Sequence, residues 1–239
     1  MPLARALIGE FHCVGLDLSG HGHSEEPPQP NWSVFQSDVV SAANTLGDGI
    51  VGVGHSLGAS ALLGAAASDP RRFAALYCYE PIVIDDAMPD RPPSGANAQL
   101  ARRRRAEFSS RKEALERFSD RPPFLEFDRS ALAGYLEDGL VDKPDGSVRL
   151  SCRPEFEAQI YESAADYDVL GLLRSVSCPV TVAFGTRSEV MSRAGAEVVA
   201  TRLADARVES VPGLDHFGPF SSPLVLAEAI SHWLRTPAA

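Results

Sequence analysis

The chain has 239 residues, 44% of them hydrophobic and 23% charged, which suits one large domain or a domain carrying an insertion. A net charge of −10 disfavours nucleic acid and anionic membranes as partners. No apolar run reaches membrane-spanning length, and the first eleven residues lack the apolar core of a signal peptide, so a cytoplasmic location is expected.

Strand and helix signals alternate at both ends of the chain. Phe11–Leu18 reads as a buried strand and is followed by a Gly/Pro-rich loop. Trp32–Gly47 reads as an amphipathic helix ending at Gly47. Gly49–Gly54 is a short buried strand, and the small residues after it form a helix stopped by Pro70. Phe73–Glu80 is a further strand, ended by Pro81. From Asp85 to Asp168 the pattern changes to helices separated by proline-rich turns (89–95, 120–124, 142–146), with no buried strand. The alternation then returns as strand Pro179–Gly185, helix Ser192–Asp205, strand Arg207–Gly213 and helix Ser222–Arg235. Strands alternating with helices predict an α/β fold, a mostly parallel sheet with helices on both faces. Residues 1–84 and 169–239 would form that core, with 85–168 as a helical cap inserted into it. The four cysteines, Cys13, Cys78, Cys152 and Cys178, have neither metal-ligand nor redox-motif spacing and read as buried free thiols. No metal or other cofactor is expected.

The stretch Gly54-His55-Ser56-Leu57-Gly58 follows a buried strand and opens a helix. A serine on so tight a turn is strained and lifts its hydroxyl above the sheet, with small residues required two positions to either side. The plainer reading is a glycine-rich turn for phosphate, but no P-loop lysine follows. Together with "DLSGHGHS" (Asp17–Ser24) and "GLDHFGPFSSP" (Gly213–Pro223), this stretch resembles the α/β-hydrolase superfamily, in order and spacing, from about Pro2 to Trp233. The resemblance implies a cofactor-free serine hydrolase acting on a small ester, thioester or related acyl substrate. In it Ser56 is the nucleophile and His216, on the loop after the last strand, is the base.

The triad also needs a carboxylate to fix the imidazole tautomer. In many relatives it lies three residues past a glycine after the post-cap strand. Here that position, counted from Gly185, is Ser188, and Glu189 is the next residue. Other branches place the acid at the end of the strand after the nucleophile helix. Glu80 stands there, 24 residues after Ser56, at the strand end where parallel sheets build their sites. Glu80 is favoured and Glu189 is the alternative.

The resemblance assigns one half of the oxyanion hole to the backbone N–H of Leu57. The other half belongs to a loop upstream of Met1 in the family pattern, so the sequence is expected to be part of a longer chain with a His-Gly pair in the missing segment. The alternative function is a catalytically impaired member that binds a small molecule. Within the insertion, Leu100, Arg104, Phe108, Leu115 and Phe118 fall on one side of a continuous helix. Arg104 is a candidate for a substrate carboxylate, against the plainer reading of a side chain paired to a nearby glutamate.

Overall fold

A computed structural model of the chain describes residues 2–84, 88 and 95–235. Helix α1 (Pro2–Leu7) precedes α2 (Trp32–Leu46), β1 (Ile50–His55), α3 (Leu57–Ser68) and β2 (Phe73–Tyr79). The middle of the chain carries α4 (Ala96–Arg102), β3 (Glu107–Phe108), α5 (Arg111–Ser119), α6 (Arg129–Asp138), β4 (Leu140–Asp142), β5 (Val148–Leu150), α7 (Pro154–Ser163) and α8 (Val169–Leu172). Then follow β6 (Val180–Gly185), α9 (Arg193–Ala200), β7 (Ala206–Val211), α10 (Gly218–Ser221) and α11 (Pro223–Arg235). The chain divides into two compact units, one of residues 31–93, 163–216 and 233–239, the other of residues 1–30, 94–162 and 217–232.

The first unit holds a parallel sheet in the order β1-β2-β6-β7. The inner strands β2 and β6 are apolar runs because a strand flanked on both sides and covered on both faces has no exposed side for polar residues. β6 is buried throughout. Helix α3 packs on β1 and β2, and α9 packs on β6 and β7. Over Gly52, Leu62 of α3 meets Leu76 of β2. The next residue, Tyr77, points to the opposite face, where its ring lies 5.3 Å from that of Trp233. Helix α2 starts where the Asn31 side chain accepts the Ser33 N–H and ends at Gly47, whose φ of 93° suits glycine. Eight consecutive residues of α3, Ala59 to Ala66, are buried. The small residues among them, Gly64 above all, let the helix approach α2 and Tyr167 closely. A Cβ on Gly64 would sit 1.9 Å from the Tyr167 hydroxyl, which donates to Gln36 Oε1 at 2.6 Å.

The β1–α3 junction is tighter still. A Cβ on Gly54 would lie 2.6 Å from the Cα of Ala59, a backbone atom that has no room to yield. At Gly58, by contrast, an added Cβ meets nothing within 4 Å. The expectation that both flanking positions must be small therefore holds only for the first. Gly54→Ala is expected to lower the unfolding free energy by about 1–3 kcal/mol through overpacking. Gly58→Ala, at a helical position, is expected to leave it unchanged or raise it by up to about 1 kcal/mol. Urea unfolding of the two variants tests the contrast, and equal midpoints would contradict it.

The second unit contains the loop "DLSGHGHS". The Asp17 carboxylate accepts the His23 N–H at 3.1 Å, and Ser24 Oγ donates to the Asp17 carbonyl at 2.7 Å. Both glycines are required by space as well as by positive φ. A Cβ on Gly22 would strike the Asp17 carboxyl at 2.3 Å, and one on Gly20 would strike the Phe156 ring at 2.2 Å. The segment before the loop corrects the sequence reading. Residues 11–18 are not a strand, and Val14 and Leu16 are exposed. Extended backbone becomes a strand only when a neighbour accepts its hydrogen bonds, and among the described residues no strand pairs with this one.

Three short strands, in the antiparallel order β3-β5-β4, lie between residues 107 and 150, where no strand was expected. They close over a cluster of Phe108, Phe118, Leu132, Leu136, Leu140 and Leu150. The predicted stripe from Leu100 to Phe118 is accordingly not one helix. Helix α4 ends at Arg102, β3 follows, and α5 begins after the Ser110 cap. Phe108 and Phe118 are buried, whereas Leu100 and Leu115 are exposed. The proline-rich turn at 89–95 lies outside the described residues except for Gly95. The four cysteines are free, with Cys78 and Cys178 buried and Cys13 and Cys152 partly so.

Candidate active site

Ser56 stands between β1 and α3 with φ 54° and ψ −127°, a conformation sparsely populated for any residue with a Cβ. Its N–H is tied to the Tyr79 carbonyl at 3.0 Å, which locks the turn to the neighbouring strand. Its side chain caps nothing in α3. Ser56 Oγ instead lies 3.1 Å from His216 Nε2. Leu57 supplies the first N–H of α3, one of the donors that a helix leaves without an internal partner.

At the end of β2, Glu80 is completely buried and also has positive φ, 48°. Its N–H continues the sheet by donating to the Ala183 carbonyl at 2.8 Å. The turned backbone sends the side chain across the end of β6. There Oε1 accepts the Gly185 N–H at 2.9 Å, and Oε2 lies 2.7 Å from both Ser188 Oγ and His216 Nδ1. A carboxylate accepting at Nδ1 makes that nitrogen the protonated one and leaves the Nε2 lone pair facing Ser56. Glu189 is exposed and is not the partner of His216 Nδ1.

Two further side chains fix the loop that carries His216. The Tyr79 hydroxyl donates to the Asp215 carbonyl at 2.6 Å, and His55 Nε2 donates to the carbonyl of His216 itself at 2.8 Å. Burial pushes the His55 pKa down to about 3, aided by the adjacent His216, so His55 serves as a neutral donor at ordinary pH. Sequence reasoning missed both contacts. In the sequence His55 is marked only as part of the elbow and Tyr79 only as a strand residue.

The sequence matches the family model described as the alpha/beta hydrolase family over residues 1–229. The chain belongs to the α/β-hydrolase family. It is 28% identical to a 2-(acetamidomethylene)succinate hydrolase of Mesorhizobium japonicum, over 98% of this chain and 82% of that protein. Among solved structures, an E-2-(acetamidomethylene)succinate hydrolase superposes with a TM-score of 0.79 at 24% identity, covering 98% of this chain and 85% of that one. A peroxisomal α/β-hydrolase of Saccharomyces cerevisiae superposes with a TM-score of 0.78 at 19% identity, covering 92% of this chain and 66% of that one. At these identities the two solved structures bear on the fold alone.

The remaining candidate, Arg104, belongs to the other unit. Its guanidinium pairs with Glu157 and donates to the Tyr135 hydroxyl at 2.7 Å. Its neighbours in the arginine run are also paired, Arg102 with Glu155 and Glu162, and Arg105 with Glu113. Among the described residues no three His, Cys, Asp or Glu side chains converge as metal ligands, and no helix is long and apolar enough to cross a membrane.

Proposed function

We propose that the protein is a serine hydrolase in which Ser56, His216 and Glu80 form a catalytic triad acting on a small ester, thioester or related acyl substrate. The observation that carries this reading is the unbroken relay from Ser56 Oγ through the imidazole of His216 to Glu80, at 3.1 and 2.7 Å. Ser56 Oγ attacks the carbonyl carbon while His216 Nε2 takes its proton. The carbonyl oxygen gains the negative charge and accepts from the Leu57 N–H. Collapse of the tetrahedral intermediate expels the leaving group, which receives the proton from His216. A water molecule, deprotonated by the same nitrogen, then cleaves the acyl-serine and restores Ser56. Glu80 keeps the imidazole in the required tautomer and stabilises it when doubly protonated.

In this proposal residues 1–84 and 169–239 are the hydrolase core, and 85–168 is the insertion that selects the substrate. The apolar cluster of residues 108–150 supports giving that segment a core of its own, although its contacts group residues 94–162 with 1–30 and 217–232. Arg104 is left out of the substrate site because Glu157 and Tyr135 already occupy its guanidinium. The name of the Mesorhizobium relative makes 2-(acetamidomethylene)succinate one of the compounds to test beside simple esters.

Labelling with a fluorophosphonate tests the nucleophile directly. Peptide mass spectrometry is expected to find the label on Ser56, at a rate that collapses in His216→Ala. Label on another serine, or none under conditions that saturate a known serine esterase, would remove the triad and leave a binding protein as the better reading.

A further inference from the structure

Ser188 occupies the place, three residues past Gly185, where many relatives that the chain resembles carry the triad acid. Its side chain points back at the acid that stands elsewhere. We propose that Ser188 is a positioning residue that aims the Glu80 carboxylate at His216, an inference that rests on the triad proposed above.

A serine hydroxyl has one proton to give and two lone pairs to receive. Both lone pairs of Ser188 are taken, by the N–H groups of Val190 at 3.0 Å and Met191 at 3.2 Å. The single proton is left for Glu80 Oε2, at 2.7 Å, a length proper to a hydroxyl donating to a charged oxygen. The hydroxyl is therefore a donor of fixed direction. Its own backbone is anchored as well, because its N–H donates to the Gly185 carbonyl at 3.0 Å.

Glu80 depends on such a clamp. A glutamate side chain has three torsions, and few of their combinations place an oxygen on Nδ1 of His216. The Gly185 N–H holds Oε1 and Ser188 holds Oε2, so the carboxylate is held from both sides by donors other than His216. A side chain on Gly185 would break the first of these. Its Cβ would lie 2.3 Å from the Leu214 carbonyl and 2.6 Å from the Tyr79 hydroxyl. The two donors come from one turn at the end of β6, and the acid comes from the end of β2. The turn that supplies the acid in one arrangement here supplies the donor that orients it.

The test compares Ser188→Ala with Ser188→Thr, which keeps the hydroxyl. Ser188→Ala is expected to lower kcat on a p-nitrophenyl ester by about 10- to 100-fold, the effect of removing one donor to a buried charge, with KM unchanged. Ser188→Thr is expected to recover most of that loss. A loss shared equally by both variants, or one carried in KM, would overturn the assignment. Proton NMR gives a readout independent of turnover. The Nδ1 proton of His216, bonded to Glu80, is expected as a far-downfield line that His216→Ala abolishes and Ser188→Ala shifts upfield or broadens. A line unmoved by Ser188→Ala refutes the role of Ser188, whether or not the protein hydrolyses any ester. A line that moves in a protein lacking all esterase activity upholds the clamp and refutes the function instead.

Discussion

Replacing Ser56 with alanine is expected to lower kcat for a p-nitrophenyl ester by about 10⁶-fold, the loss seen when a triad nucleophile is removed, while leaving the thermal midpoint nearly unchanged. Both halves of that expectation come from the same geometry. The Ser56 hydroxyl lies 3.1 Å from His216 Nε2, so in the proposed mechanism its removal deletes the attacking atom and leaves the base without a proton to take. The side chain caps nothing in α3, and the turn is held through the Ser56 N–H and the Tyr79 carbonyl, which alanine retains. Alanine also carries the same Cβ into the positive-φ conformation, so the backbone strain is neither created nor relieved. A folded Ser56→Ala protein that turned over ester at the wild-type rate would exclude Ser56 as nucleophile. A variant that failed to fold would show that the hydroxyl has a structural part the hydrogen bonds do not reveal, and Ser56→Gly would then separate the two.

The parallel sheet was legible because three of its four strands are apolar runs bounded by residues that cannot continue them. Gly49, Pro81 and Pro179 bracket β1, β2 and β6, and the structure places those strands within two residues of the expected limits. The strands between 107 and 150 were not legible. A strand of two or three residues carries too little alternation to register, and Phe108 and Phe118 mimic one helical face although β3 and a serine cap intervene. Residues 11–18 failed in the opposite sense, as a strand-like pattern without a pairing neighbour.

The candidate site divides in the same way. Ser56 and His216 could be named because each sits in a local motif whose neighbours announce it. Glu80 was visible as an acid at a strand end. The hydrogen bonds of Ser188, Tyr79 and His55 to Glu80 or to the loop that carries His216 were invisible. Each joins residues more than 100 positions apart, and no spacing encodes which hydroxyl or imidazole will meet which carboxylate or carbonyl. The signal that could have found Ser188 was its position. A hydroxyl where an acid is expected, beside a second acid from another strand, is a reason to ask whether the two meet.

Glu80→Gln is expected to lower kcat by about 10⁴-fold, as when the orienting carboxylate of a triad becomes an amide, and Glu189→Gln by no more than about 2-fold. Glutamine matches glutamate in shape, so the argument concerns protons alone. Both oxygens of Glu80 face donors, the Gly185 N–H on one side and Ser188 with His216 on the other. An amide must present its NH₂ to one of these sides. Turned toward Gly185, it opposes a backbone N–H that has no freedom to rotate. Turned toward His216, it opposes the Ser188 proton, which is fixed by Val190 and Met191, and it draws the imidazole into the tautomer whose lone pair lies on Nδ1. Nε2 then carries the proton toward Ser56 and has no lone pair to receive another. Either placement buries unmatched donors, so the thermal midpoint is expected to fall as well. Glu189 is exposed and leaves His216 Nδ1 to Glu80, so its amide changes only a solvated charge. Steady-state kinetics on the two variants, with thermal unfolding as the control for fold, decide between the carboxylates. A larger kcat loss in Glu189→Gln would place the acid after the post-cap strand and would remove the Glu80 clamp together with the role proposed for Ser188.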